Sequence, residues 1–146
     1  MNRYPFIEDI VYQKLSKIYL DTLKSSAYTH LHGCVIIISK LALERDLNVE
    51  YARIAAILHD IATYCENCPH RIHAKQSAMM AKAILQQTSL FDDEEITCIT
   101  TMIERHSHKD EIDDEMCELL KDADVLTTYY TTLTYDDSKR LQALLK

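Results

Sequence analysis

The chain has 146 residues, the usual length of one globular domain, and its 47% hydrophobic and 27% charged residues are typical of a folded protein. Its formal net charge of -7, from 23 acidic and 16 basic residues, argues against binding to a nucleic-acid polymer, because such proteins neutralise phosphates with Lys and Arg. No segment resembles a signal peptide or a membrane span, so we expect a cytoplasmic protein that does not bind a membrane.

The glycine content narrows the fold class, and the cysteine content indicates the redox state of the thiols. Gly33 is the single glycine of the chain, whereas phosphate-binding loops need several glycines and β-hairpins depend on glycine turns. We therefore expect an all-α fold, a single-domain bundle of about six to seven helices over residues 1–146. The five cysteines are odd in number and scattered, which indicates reduced thiols more than a disulfide framework.

Apolar residues at helical spacing predict three helices in the first half of the chain. The first covers residues 7–23 and the second about residues 30–44. Asn48 is a suitable N-cap for a third helix, which continues to His59. Residues 54–61 are apolar nearly all round, so we expect this third helix at the centre of the bundle.

Four more helices are predicted in the second half. Small and apolar residues mark a fourth helix over residues 74–85. Asp92 and Glu95 have capping-box spacing and predict the start of a fifth. A sixth covers residues 115–130, and a short last helix holds residues 141–145. No internal repeat or linker interrupts this pattern.

Two polar residues lie side by side on the central helix. His59 and Asp60 follow Ala55 and Ala56 by four residues each, so both belong to the apolar segment. An isolated buried carboxylate is costly, and proteins avoid it by pairing, protonation or metal coordination. Taken alone, the pair is equally well explained by an Asp60 that caps the next turn and a His59 that is a hydrogen-bonded core residue.

Other polar residues also follow the apolar faces of helices. His106 continues the apolar stripe of the fifth helix, although a helix-terminal histidine that interacts with the helix dipole is the simpler explanation. Asp124 lies on or beside the buried face of the sixth helix, whereas its neighbour Asp122 is expected to be solvated. His30 begins the second helix, where a capping role is the simpler one, and His32 is an alternative to it.

His30, His59, Asp60 and Asp124 together form one set of nitrogen and oxygen ligands carried by three helices. Imidazole and carboxylate ligands suit Zn, Mn, Fe or Co, and open coordination positions would leave room for water. The sequence therefore predicts a divalent-metal site formed by His30, His59, Asp60 and Asp124.

The order H…HD…D on consecutive helices resembles the HD superfamily of metal-dependent phosphohydrolases. The resemblance covers about residues 28–130, and its most specific segments are EYARIAAILHDIATY and LLKDADVLTTYY, with a histidine 29 residues before the HD pair. It implies that His30, His59, Asp60 and Asp124 hold a divalent cation (Fe, Mn, Zn, Co or Mg). His73 and His106 match the two histidines that bind a second metal in some branches, with Asp60 bridging the two ions.

The resemblance also implies an activity, the hydrolysis of a phosphate ester or anhydride in a nucleotide or another small phosphorylated metabolite. Asp60, His73 and His106 are the implied catalytic residues; the two histidines either hold the second metal or donate hydrogen bonds to phosphate. The chain departs from the family at Thr63, where many relatives have lysine. It has no acidic pair shortly after Asp60, which argues against an alarmone hydrolase, and no carboxylate at positions 61–65, so the general acid or base stays open.

Several alternatives remain open at this stage. An enzyme with a di-iron centre that uses oxygen, or a metal-binding sensor without activity, is compatible with the same residues. Arg71, Lys75 and Lys109 lie near the ligands in sequence and are expected to be solvated surface charges rather than phosphate contacts. A structural zinc site in the segment C-x-x-C-x-H-x-x-H, which holds Cys65 and Cys68, is less favoured than a loop with two free thiols. The apolar first and last helices leave a homo-oligomer open.

Overall fold

The computed structural model describes residues 1–146 and contains eight α-helices and one 3₁₀ turn. The all-α fold that the sequence predicts is therefore confirmed. The helices are α1 (Tyr4–Leu15), α2 (Asp21–Glu44), α3 (Val49–Leu58), α4 (Ile61–Glu66), α5 (His73–Thr88), α6 (Asp93–Arg105), α7 (Glu115–Thr132) and α8 (Lys139–Leu144), with the 3₁₀ turn at His70–Ile72. None of them combines the length and hydropathy of a membrane-spanning helix.

Helix α3 is the centre of the bundle, as its sequence predicts. Its residues from Ile54 to Leu58 are all completely buried, and it contacts α1, α2, α5, α6 and α7. The long helix α2 packs on α3 and α7, and α5 packs on α6. A helix that is apolar on every side can be stable only inside such a shell of other helices.

Side-chain caps fix the beginnings of α3 and α6. Asn48 Oδ1 accepts a hydrogen bond from the Tyr51 backbone N–H at 3.0 Å. Asp92 and Glu95 form the reciprocal capping box, in which each side chain accepts the other residue's backbone N–H. These caps satisfy N–H groups that have no partner within the helix, and both predictions made from the sequence are confirmed.

The boundary between the first two helices differs from the prediction. Helix α1 ends at Leu15, and α2 begins at Asp21, nine residues before His30. The prediction that His30 begins the second helix is therefore wrong, because His30 lies inside it. The helical period is hidden here because Ser25 and Ser26 are exposed and do not belong to an apolar stripe.

The single glycine lies on α2 where the helix faces α7. A Cβ added to Gly33 would lie 3.3 Å from Cγ2 of Thr127 and 3.7 Å from Cγ2 of Thr131. The first distance is shorter than ordinary van der Waals contact between carbon atoms. The missing side chain thus lets the two helices that carry His30 and Asp124 pack closely together.

Candidate metal centre

The His59–Asp60 pair lies where the central helix is interrupted. Helix α3 ends at Leu58, His59 is its C-cap, and Asp60 is the N-cap of α4 with φ -118° and ψ 19°. Adjacent side chains on a continuous helix diverge by about 100°. Because the backbone leaves the helical conformation at Asp60, Nε2 of His59 and Oδ2 of Asp60 come within 3.2 Å of each other.

Four of the predicted ligands converge on one point, which we call the first ligand group (His30, His59, Asp60 and Asp124). Nε2 of His30 lies 3.0 Å from Oδ2 of Asp60, 3.1 Å from Oδ1 of Asp124 and 3.1 Å from Nε2 of His59. Nε2 of His59 lies 3.3 Å from the same Asp124 oxygen. Two ligands about 2.1 Å from one cation, at 90° to 109°, are separated by about 3.0 to 3.4 Å, so this spacing suits a divalent ion.

Asp60 also belongs to a second ligand group, formed with His73 and His106. Nε2 of His73 and Nε2 of His106 lie 3.1 Å apart. Both face the other carboxylate oxygen of Asp60, Oδ1, at 3.4 Å and 3.2 Å. Each oxygen of the Asp60 carboxylate therefore faces one group, which is the arrangement of a bridging ligand.

A repeated backbone contact orients three of the histidines. Nδ1 of His59, His73 and His106 lies 2.6, 2.5 and 2.6 Å from the carbonyl oxygen three residues earlier in the chain. A carbonyl can only accept, so each Nδ1 carries the proton and donates it. In the neutral ring the Nε2 lone pair then faces the site, which is the form that binds a metal.

The second group contains acceptors that no protein donor satisfies. Oδ1 of Asp60 is buried and accepts no well-aligned hydrogen bond. It shares the space with two Nε2 atoms whose rings already use their Nδ1 protons elsewhere. Buried acceptors that face each other without a donor cost free energy. A cation would remove that cost, so the residues present fit a divalent metal ion.

Charges within the site shift the pKa values of both carboxyl groups. Burial opposes ionisation of Asp60, but the charge of His59 holds the pKa of Asp60 well below its ordinary range. Burial also opposes ionisation of Asp124, and the hydrogen bond from His30 again holds its pKa well below the ordinary range. Both groups are therefore anionic at neutral pH and available as metal ligands.

The histidines differ between the two groups. Burial disfavours a charge on His30 and His59, yet the hydrogen bonds that His30 donates to Asp124 and Asp60 raise the pKa of His30, and the charge of Asp60 raises the pKa of His59 well above its ordinary value. Burial lowers the pKa of His106 in spite of its contact with Asp60. Without metal, protons in the first group therefore occupy positions that a cation would take.

The contacts of Lys109 differ from the prediction. The sequence predicts a solvated surface charge, but Nζ of Lys109 donates to Oδ2 of Asp124 at 2.8 Å and to the backbone oxygen of His106 at 2.6 Å. It thus connects one residue of each ligand group. Arg71 and Lys75 are exposed, as expected. Only the position of Lys109 three residues after His106 indicated that it could reach the site.

Two other polar residues, Asp122 and His32, lie outside both ligand groups. Asp122 is buried, contrary to the prediction that it is solvated, because its two oxygens pair with Arg140 at 2.7 Å and with Arg45 at 2.8 Å. His32, the alternative to His30, is bonded through Nδ1 to the Tyr12 hydroxyl at 2.8 Å. His32 therefore belongs to neither ligand group.

The cysteine-containing segment does not form a ligand cluster. No group of metal-ligating atoms in the structure includes Cys65 or Cys68. His73 faces Asp60 and His106 instead, and the His70 ring is stacked on the His73 ring with centroids 4.6 Å apart. Both thiols are free, as the favoured interpretation of the sequence expects, but Cys65 lies in the last turn of α4 and only Cys68 lies in the connection that follows.

An open cleft of about 570 Å³ gives access to the ligand atoms. Its walls come from α2, α4 and α7 and from the 3₁₀ turn, and Tyr64 is its single hydrophobic residue. His30, Asp60, His73 and Asp124 lie in its wall, whereas His59 is completely buried behind them. A small molecule can therefore reach both ligand groups from one side.

Comparison with known proteins agrees with this geometry. The HD domain family matches residues 27–129 of the chain. Among solved structures, the fold is similar to the crystal structure of a predicted HD superfamily hydrolase from an uncultured Thermotogales bacterium, with a TM-score of 0.72 and 22% sequence identity. The alignment covers 97% of this chain and 83% of that one. No curated protein matches the chain. Since the family match covers most of the sequence, this chain belongs to the HD domain family.

Proposed function

We propose that this protein is a metal-dependent phosphohydrolase that acts on a small phosphorylated metabolite through one or two divalent cations. The observation that carries the proposal is the Asp60 carboxylate, whose two oxygens face two separate sets of imidazole nitrogens. Asp60 and the histidines of both groups would hold divalent cations, which would supply positive charge to stabilise the oxygens of a phosphoryl group. The acidic chain also needs bound cations to attract an anionic substrate.

The residues of the chain hold this arrangement rigid. The Nδ1 contacts of His59, His73 and His106 to the backbone fix the direction of each imidazole. Lys109 compensates the charge of the Asp124 oxygen that does not face the first group. Because these contacts exist before any substrate enters, little reorganisation is needed during the reaction.

The proposed reaction is hydrolysis of a phosphorus–oxygen bond. A bound divalent cation supplies Lewis acidity, which neutralises phosphoryl charge and lowers the pKa of water. Water provides the hydroxyl that joins phosphorus and a proton that goes to the departing oxygen, so the products are phosphate and an alcohol. The cleft leaves one face of the ligand groups open for the phosphate, beside His30 and Asp124.

The proposal can be tested on protein purified without chelators. Metal content is measured by elemental analysis, and phosphate release is measured on a panel of phosphate monoesters and anhydrides. Asp60→Asn keeps the shape of the side chain but removes its charge, so we expect loss of bound metal and a fall in activity of at least about 100-fold. Asp110→Asn, at an exposed carboxylate, is the matched control. Full phosphatase activity in Asp60→Asn would refute the proposal.

The six-residue ligand set favours a second candidate, a di-iron enzyme that uses oxygen, because histidines and one shared carboxylate also suit iron. Iron content and oxygen consumption with candidate substrates separate the two activities. A protein that holds metal but shows neither phosphate release nor oxygen consumption would instead be a non-catalytic metal-binding module.

A further inference from the structure

The cleft in front of the ligand groups has an unusual wall. Serine and threonine make up more than half of its thirteen lining residues, and no lysine or arginine is among them. Tyr64, His70 and the imidazoles at the base are its only rings. The wall therefore offers many hydroxyl oxygens, of which those of Thr131 and Thr132 already donate to the backbone of α7 and are left as acceptors. It offers little positive charge and little surface for stacking.

The hydroxyl residues follow the ligands along two helices. On α2, Ser26 lies one helical turn before His30 and so shares its face. On α7, Thr128 and Thr132 follow Asp124 at intervals of four residues, again on the ligand's face. Each helix thus carries a line of hydroxyl groups away from the ligand groups towards solvent.

These two lines border one cleft because the helices that carry them are packed together. Ser25, Ser26 and Thr29 on α2 and Thr128 on α7 line the same space of about 570 Å³. The close approach of the helices at Gly33 places the two lines beside each other. This volume is within the range that small ligands occupy in proteins.

The composition of the wall discriminates between classes of phosphorylated substrate. Diphosphates and triphosphates need cationic side chains in addition to metal, since several phosphate groups must be neutralised. Nucleobases are usually held by aromatic or apolar surfaces. Neither kind of surface is extensive here. A chain of hydroxyl groups on the substrate, by contrast, would find a partner at each serine and threonine.

We propose that the cleft binds the monophosphate ester of a sugar or another small polyol, with the phosphate at the ligand groups and the hydroxyl groups of the substrate along α2 and α7. The proposal rests on the phosphohydrolase function proposed above and specifies its substrate class. A site that hydrogen-bonds substrate hydroxyls discriminates strongly against a ligand without them, because its own polar groups would then lose their solvent without gaining a partner.

The test compares substrates that differ in their hydroxyl groups. With metal-loaded protein, kcat/KM for hexose 6-phosphates is expected to exceed kcat/KM for phenyl phosphate and for a nucleoside diphosphate by at least about 10-fold. Thr128→Val and Ser26→Ala should lower kcat/KM for the hexose phosphates about 10-fold through KM, and leave phenyl phosphate unaffected. Thr97→Val, at an exposed threonine of α6, is the matched control. Equal losses on both kinds of substrate, or a preference for phenyl phosphate, would overturn the substrate class while the phosphohydrolase proposal stands.

A binding measurement covers the case in which nothing is hydrolysed. Glucitol 6-phosphate is titrated by calorimetry into metal-loaded wild-type protein and into Thr128→Val. Binding that weakens in Thr128→Val but not in Thr97→Val supports the polyol site even if the hydrolytic function fails. Absence of binding to the wild-type protein overturns the polyol site.

Discussion

Nζ of Lys109 lies 2.8 Å from Oδ2 of Asp124, the carboxylate oxygen that does not face His30 and His59. The same ammonium group donates to the backbone oxygen of His106 at 2.6 Å. Lys109 lies in the connection between α6 and α7, so one side chain joins the helix that presents His106 to the helix that presents Asp124. It fixes the orientation of the Asp124 carboxylate.

Replacing Lys109 by methionine is expected to weaken metal binding. The substitution keeps most of the side-chain volume but leaves Oδ2 of Asp124 without its partner, so the carboxylate can rotate away from the first group. Loss of a residue that orients a metal ligand lowers affinity about 10- to 100-fold. Competition with a chromophoric chelator measures this affinity, and Lys75→Met, at an exposed lysine of α5, is the control. An unchanged affinity in Lys109→Met would contradict the positioning role.

His106→Gln tests whether the two ligand groups act as separate metal sites. His106 contacts Oδ1 of Asp60, whereas His30 and His59 face Oδ2 of Asp60, so loss of His106 should remove the second ion and leave the first. Elemental analysis is expected to give about two ions per chain for the wild type and about one for the variant. His59→Gln should affect the first ion instead, since His59 faces His30 and Asp124. One ion in the wild type, insensitive to His106, would indicate a single-metal site.

The pH dependence of stability in the metal-free protein follows from the raised pKa values of His30 and His59. A histidine that binds its proton more tightly when folded stabilises the fold below its unfolded pKa, about 6.5, and this stability is lost as the pH rises through the folded pKa. The free energy of unfolding should therefore fall between pH 6.5 and 8, by at most about 1.4 kcal/mol per pH unit for each such group. The lowered pKa of His106 changes the free energy of unfolding only below about pH 6.5.

Urea unfolding in the presence of a chelator measures this slope. The upper limit of pH 8 avoids the cysteine thiols, whose raised pKa values lower stability only at higher pH. Saturating zinc should reverse the slope, because the ion competes with protons for the same nitrogens and binds more tightly as the pH rises. A metal-free stability that is constant from pH 6.5 to 8 would show that His30 and His59 are not protonated in the folded protein.

Most of the six candidate ligands are predicted because their side chains conflict with their apolar surroundings, whereas His73 is predicted through the family resemblance alone. His59 and His106 continue apolar stripes, and a polar group on such a stripe needs a partner. Asp60 was found for the same reason. The bridging role proposed for Asp60 follows only from the family resemblance, since the break between α3 and α4 that turns it towards both groups is not marked by a glycine or proline.

Other features could not be predicted because they depend on residues distant in sequence. Asp122 has the same local setting as many solvated aspartates, and only the tertiary structure brings Arg45 and Arg140 to it. The start of α2 was missed because its exposed serines carry no apolar period. Ser25 and Ser26 in that segment line the cleft and not the core, so the error falls in the wall of the proposed substrate site.

The contacts of Glu95 provide a test of the fold that does not depend on metal. Its carboxylate accepts the Asp92 backbone N–H in the capping box and also pairs with Arg3 at 2.9 Å, which holds the N-terminal segment against α6. These contacts, with Arg3 the largest, lower the pKa of Glu95 to about 2. Glu95→Ala should therefore destabilise the protein by about 0.5 to 2 kcal/mol, the range measured for the loss of helix-capping interactions.

Thermal and urea unfolding of Glu95→Ala measure this loss, and Glu94→Ala is the matched control, because Glu94 is the adjacent, exposed residue in the same first helical turn. The lowered pKa of Glu95 also makes the stabilisation depend on pH. Since a lowered carboxyl pKa stabilises the fold above the unfolded value and is lost as the pH falls through the folded value, the difference between wild type and Glu95→Ala should shrink below about pH 4. Equal stabilities of Glu95→Ala and Glu94→Ala at pH 7 would mean that the contacts of Glu95 with Arg3 and Asp92 do not contribute to folding.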